Sequence, residues 1–131
     1  MPTPEQWQQA IAKNGFELRL DHGFDPFVFT GFLPCSLSGN VTGFEYYFSV
    51  KEDIAGPETY LAAATAQFDS VVSFVWGGNF REAAAVMMAA GSLADSCPSL
   101  MHDPQDDSSI NNEDALGYAR QQLATIQSFL K

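Results

Sequence analysis

The residues of this chain that could act on a bond are few. There are two histidines, His22 and His102, and each stands beside a carboxylate, Asp21 and Asp103 respectively. A histidine oriented by an acid can serve as a general base, but it needs a nucleophile within hydrogen-bond reach. The candidates are Cys35 and Cys97, both next to a proline (Pro34 and Pro98). No helix start immediately follows either cysteine to lower its thiol pKa. The expected reading is therefore turn histidines and buried free thiols, with no catalytic residue. Two cysteines so far apart do not make a disulfide framework.

Metal chemistry is no better supported. Asp21, His22 and Asp25 form one cluster of possible ligands, and His102, Asp103, Asp106 and Asp107 form another. Neither has the H-E-x-x-H or C-x-x-C spacing of a zinc site. The second lacks the glycine and the terminal bidentate glutamate of a calcium loop. Gly77-Gly78 lies where a phosphate-binding turn would, without its glycine pattern. No metal or cofactor is expected.

What remains is acid interleaved with aromatics. Sixteen Asp and Glu against six Lys and Arg give a net charge of −10, and eleven phenylalanines make the aromatic load heavy. Such a chain repels phosphate backbones and anionic lipid, so neither nucleic acid nor membrane is an expected partner. It attracts basic protein surfaces, and salt weakens that attraction. The candidate contact residues are Asp21, Phe24, Asp25, Glu45, Tyr47, Glu52, Asp53, Asp103, Asp106 and Asp107, acids in or near loops with aromatics among them. Acids steer a basic partner and aromatics anchor it once water has left. A solvated acidic face above a core of aromatics is the plainer alternative, and acidity can also serve solubility alone.

These residues need elements to hold them. Thr3-Pro4-Glu5-Gln6 reads as a capped helix start, Trp7, Ala10 and Ile11 share one helical face, and Gly15 ends the helix. Phe16, Leu18 and Leu20 then alternate as a half-buried strand. His22 to Pro26 is turn chemistry. Phe27 to Leu33 reads as a second strand, weakened or bulged at Gly31 and stopped by Pro34, with a polar loop from Ser36 to Gly43. Phe44, Tyr46, Phe48 and Val50 alternate in a third strand that turns Glu45 and Tyr47 outward. A short helix is expected after Gly56. Ser70 to Trp76, apolar on both faces, reads as a central strand covered on both sides.

Asn79-Phe80-Arg81-Glu82 then looks like a second capping box. It opens an alanine-rich helix to Leu93 whose buried face would hold Phe80, Ala83, Ala84, Met87 and Ala90. Leu100 to His102 is a short edge strand, and Asp103 to Ser109 an acidic turn. Asn111 or Asn112 caps a last helix with a stripe of Leu116, Ala119, Leu123, Ile126 and Leu130. The expectation is a single α+β domain over residues 1–131. A mainly antiparallel sheet of about four strands packs with about three to four helices. No secretory signal or membrane span is legible, so the expected location is the cytoplasm, as a monomer or weak homodimer.

Four segments carry a resemblance: TGFLPC from Thr30 to Cys35, TGFEYYF from Thr42 to Phe48, SVVSFVWGGNFRE from Ser70 to Glu82, and HDPQD from His102 to Asp106. Together they resemble a family of small bacterial proteins associated with polymorphic or type VI secreted toxins. The resemblance spans roughly Gly15 to Ala119. It implies an immunity protein, not an enzyme: an acidic cytoplasmic antitoxin that occludes the basic active site of its cognate toxin. It assigns no binding residues. A type III-like secretion chaperone, a phage-encoded inhibitor, or a small enzyme using His22 or His102 are the alternatives that composition leaves open.

Overall fold

A computed structural model describes residues 3–20, 30–50, 70–77, 79–97, 99–103 and 108–128. The first helix, α1 (Pro4–Lys13), starts where the sequence says. The Gln6 amide donates to Thr3 Oγ1 at 3.1 Å, and the Thr3 amide donates to Gln6 Oε1 at 2.9 Å, a complete capping box. Its end is a Schellman arrangement. Gly15 takes φ +82°, its amide bonds to the Ala12 carbonyl, and the Phe16 amide reaches back to Ile11. Trp7 and Ile11 are fully buried, and Ala10 only partly so.

Four antiparallel strands follow, ordered along the sheet as in the chain: β1 (Leu18–Leu20), β2 (Thr30–Leu37), β3 (Asn40–Val50) and β4 (Ser70–Val75). The α+β class, with an antiparallel four-stranded sheet and three described helices, is as expected. Three local expectations fail. Pro34 does not stop β2, which runs on to Leu37. A proline lacks only one donor, and Pro34 lies one residue past the last β1 partner, Leu20↔Cys35, while keeping Gly43 opposite it in β3. The polar loop from Ser36 to Gly43 shrinks to two residues, Ser38 (φ +50°) and Gly39 (φ +83°). Positive φ at both central residues is the turn that matches the twist of paired strands. Gly31 (φ +130°) makes no bulge, since pairing is continuous from Thr30↔Tyr47 to Leu37↔Asn40.

β4 is a further correction. Among the described residues it is an end strand, and Ser73 and Val75 are exposed. The element covered all round is the helix after it, α2 (Phe80–Ser96), where every residue from Ala83 to Ala94 is buried. Alanine lets neighbours approach from every side, which explains why no single face could be assigned from the sequence. Phe80, expected in the core, is 46 % exposed. Asn79 caps α2 by accepting from the Arg81 amide at 2.7 Å; the bond falls one residue short of the box position at Glu82.

The edge strand expected at Leu100 is one arm of a hairpin. β5 (Leu100–Asp103) pairs with β6 (Ser108–Asn111), where the sequence predicts an acidic turn and an N-cap. Asn111 stands at the start of α3 (Asn112–Gln127) without a side-chain bond to it. The buried stripe of α3 is Ala115, Ala119 and Leu123, so Ala115 takes the place expected for Leu116. The short helix after Gly56, the turn at His22 and Leu130 lie outside the described residues.

One core binds these elements. Cross-strand partners share a sheet face. The inner face presents Leu18, Leu20, Leu33, Cys35, Leu37, Phe44 and Tyr46 to α1 and α2. Trp7 sits at the junction, 6.0 Å from the Tyr46 ring and 6.1 Å from Phe74. Its indole N–H donates to the Ala89 carbonyl of α2 at 2.9 Å, which satisfies the one polar atom of a fully buried tryptophan. Behind it, Asn14 Nδ2 donates to Ser92 Oγ and Arg120 donates to the Asn14 carbonyl. All three described helices meet there.

Candidate binding face

The sheet has a second face, and the register shows what is on it. The rows Arg19–Ser36–Val41, Pro34–Gly43, Phe32–Glu45–Val75 and Thr30–Tyr47–Ser73 all point away from α1 and α2. Large hydrophobics collect there: Phe32 is 56 % exposed, Val41 86 % and Val75 44 %. An apolar sheet face left to water in this way is a common mark of an interaction surface.

Phe32 is seated on backbone. A Cβ built on Gly43 would lie 2.2 Å from Phe32 Cζ and 2.8 Å from the Leu33 carbonyl oxygen. The ring therefore lies directly over the glycine, which is buried beneath it. An aromatic laid over a strand glycine covers backbone the missing side chain would expose. It also holds the ring in a fixed place, and a rigid aromatic loses little entropy when a partner covers it.

Beside the ring is a polar pair. Glu45 and Tyr47 alternate onto the same face, as expected from β3, and the Tyr47 hydroxyl donates to Glu45 Oε1 at 2.8 Å. That bond to a carboxylate raises the Tyr47 pKa above its ordinary value. Among the described residues the second carboxylate oxygen of Glu45 has no partner, and it is available to a cation.

Of the candidate contact residues, the structure brings Glu45 and Tyr47 together. Asp103 is placed only by its backbone, opposite Ser108 in the β5–β6 hairpin. Asp21, Phe24, Asp25, Glu52, Asp53, Asp106 and Asp107 lie outside the described residues. Phe32, Gly43 and Val75 were missed. Their signal was present: Phe32 and Gly43 become neighbours on one face as soon as β2 is read through Pro34 and the hairpin is closed at Ser38-Gly39.

The two cysteines differ in their surroundings. Cys35 faces the core and its thiol pKa is pushed up to about 11, first by burial and then by the nearby Glu82 carboxylate. Cys97 is half-buried rather than buried, with its thiol directed to the Leu93 carbonyl at 3.4 Å. His22 lies outside the described residues, as does the side chain of His102. Among the described residues no three His, Cys, Asp or Glu side chains converge as a metal site would require. No helix there is long and apolar enough to cross a membrane.

No family model, curated protein or solved structure matches the chain.

Proposed function

We propose that this chain is a binding protein for a basic protein surface. Within that class, we read it as a cytoplasmic immunity protein that neutralises a secreted bacterial toxin by occluding its basic active site. The observation that carries the binding reading is the outer sheet face, where Phe32 is fixed over Gly43 and an accessible carboxylate, Glu45, stands beside it. Charge supports the choice of partner: a net −10 steers basic proteins toward this chain and holds off nucleic acid. The narrower role as an antitoxin is supported by the resemblance of the four quoted segments.

The test is a tagged pull-down at low and moderate salt from the bacterium that encodes the chain, run beside Phe32→Ala and Glu45→Lys. The expected result is one stoichiometric basic protein whose toxicity is suppressed when this chain is co-expressed. Truncating a central aromatic anchor costs on the order of 2 kcal/mol, so Phe32→Ala is expected to weaken binding roughly thirtyfold. Glu45→Lys is expected to act mainly on the association rate. A partner bound equally well by both variants would remove the outer face from the interface. Capture of several unrelated exported proteins would replace the antitoxin reading with that of a secretion chaperone.

A further inference from the structure

One row of the outer face sets a carboxylate between two apolar side chains. Phe32 of β2, Glu45 of β3 and Val75 of β4 are direct register partners across the strands. Phe32 and Val75 are among the exposed large hydrophobics, and Glu45 between them is exposed as well. Neighbouring strands lie about 4.8 Å apart, so each apolar group stands within side-chain reach of the carboxylate. In the described strand rows of this face Glu45 is the one acid.

The members of the row are held in place. Tyr47 donates to Glu45 Oε1 at 2.8 Å, which fixes the carboxylate and leaves Oε2 for a second donor. The Phe32 ring rests on Gly43 with its other side outward. The row therefore offers a negative acceptor, an aromatic face and an aliphatic wall at set positions. A ligand that uses all three needs a positive charge, a flat donor group and an apolar stem. Lysine has the charge and the stem, but its compact, strongly hydrated ammonium has no plane to stack. Arginine has all three, and its guanidinium gives up water more easily. The chain holds one of its own arginines by a similar pair of contacts. Arg120 lies 5.9 Å from the centroid of the Phe16 ring while it donates to the Asn14 carbonyl at 3.1 Å.

We infer that the row Phe32–Glu45–Val75 is an arginine site. An arginine of the basic partner lays its stem on Val75, donates to Glu45 Oε2 and stacks its guanidinium on the Phe32 ring. The net charge of −10 selects the sign of this occupant, and the ring beside the carboxylate selects arginine over lysine. The inference rests on the reading of the outer face as the partner surface, and it names the side chain which that surface recognises.

The probes are capped tripeptides with arginine, lysine or citrulline between two glycines, titrated into the isotope-labelled full chain and followed by its amide chemical shifts. The expected result is saturable binding of the arginine peptide, with shifts centred on Phe32, Gly43, Glu45, Tyr47 and Val75. Lysine should bind about threefold more weakly, the worth of an exposed cation–π contact. Citrulline, planar but uncharged, should not bind. Glu45→Gln should weaken arginine binding about fivefold. Phe32→Leu keeps an apolar side chain and should erase the preference for arginine over lysine. Both positions are exposed, so both variants should keep the circular dichroism and thermal midpoint of the parent. Equal affinity for arginine and lysine, arginine binding indifferent to Glu45→Gln, shifts centred elsewhere, or no saturable binding would each overturn the inference. The partner itself separates the two proposals. If its capture depends on Phe32 yet tolerates arginine-to-lysine changes at the contact, the binding reading stands and the arginine site fails. If the arginine peptide seats in the row yet no basic protein is captured, the site stands and that reading fails.

Discussion

The contact between α2 and α3 makes a sharp quantitative demand. Gly91 faces α3, and a Cβ built on it would lie 2.5 Å from the Cβ of Ala119. Unstrained carbon–carbon contacts are about 3.5–4.0 Å, so Gly91→Ala requires the helices to part by roughly 1 Å. Neither atom can rotate away, because both are fixed to helical backbone. Overpacking of this kind costs about 1–3 kcal/mol. The better helix propensity of alanine returns about 1 kcal/mol. A net loss of up to about 2 kcal/mol is expected, which lowers the melting temperature by up to roughly 10 °C for a chain of this size.

Moving the methyl instead of adding one should rescue the fold. Without the Ala119 Cβ, the nearest atoms to the new group are the Ala115 carbonyl oxygen at 3.8 Å and the Ala119 Cα at 4.0 Å, both ordinary contacts. In Gly91→Ala/Ala119→Gly the two propensity terms cancel. The double variant should lie within about 1 kcal/mol of the parent, with a coupling energy of about 2 kcal/mol between the sites. Urea denaturation followed by circular dichroism measures all four proteins. A clearly stabilising Gly91→Ala, or strictly additive effects in the pair, would refute the close approach of these helices.

The other predictions concern the outer face and the core thiol. Gly43→Ala should cost about 1–3 kcal/mol, because its methyl meets both the Phe32 ring and the Leu33 carbonyl; it should also lower partner affinity about as much as Phe32→Ala does. A combined variant no weaker in binding than either single one would show that glycine acts through the ring. Cys35, with its thiol pKa pushed up to about 11 against an ordinary 9.0, should react with a thiol reagent at pH 8 about a hundredfold more slowly than a free thiol, from protonation alone. The sign for stability follows: a thiol held neutral in the fold contributes fully below pH 9 and loses that contribution as pH rises toward 11, so Cys35→Ala should flatten the alkaline limb of the stability profile. Labelling of Cys35 ahead of Cys97 in the native protein would contradict its burial.

The parts of the fold legible in the sequence were those fixed by local bonds. The box at Thr3 and Gln6, the left-handed Gly15, and the alternation from Phe44 to Phe48 each depend on residues a few positions apart, and each appears where expected. The parts that were not legible depend on a neighbour. Whether Pro34 ends a strand depends on whether β1 reaches it. Whether Ser70 to Val75 is central or terminal depends on strand order, and an uncharged β-branched run reads the same either way. Twelve successive buried residues in α2, Ala83 to Ala94, reflect three neighbours at once, which no helical period encodes. For the same reason Glu45 and Tyr47 could be named from alternation alone, whereas Phe32 over Gly43 required the hairpin register.

That difference separates two physical roles within the proposed interface. The outer face is close to neutral as described, with Arg19 at one corner and Glu45 among the apolar residues. The exposed acids that set the field of the chain among the described residues lie elsewhere, at Glu5, Glu17, Asp95, Glu113 and Asp114. In the proposed interface these acids would add to the steering by Glu45, while Phe32 would anchor. Long-range attraction acts before contact and is screened by salt, while the seated Phe32 acts only after water has left. Neutralising the distant acids should slow association and leave dissociation nearly unchanged, and truncating Phe32 should do the reverse. A chain that used acidity only for solubility would show neither effect, because no encounter would be steered and no exposed aromatic would need to be held in place by a glycine.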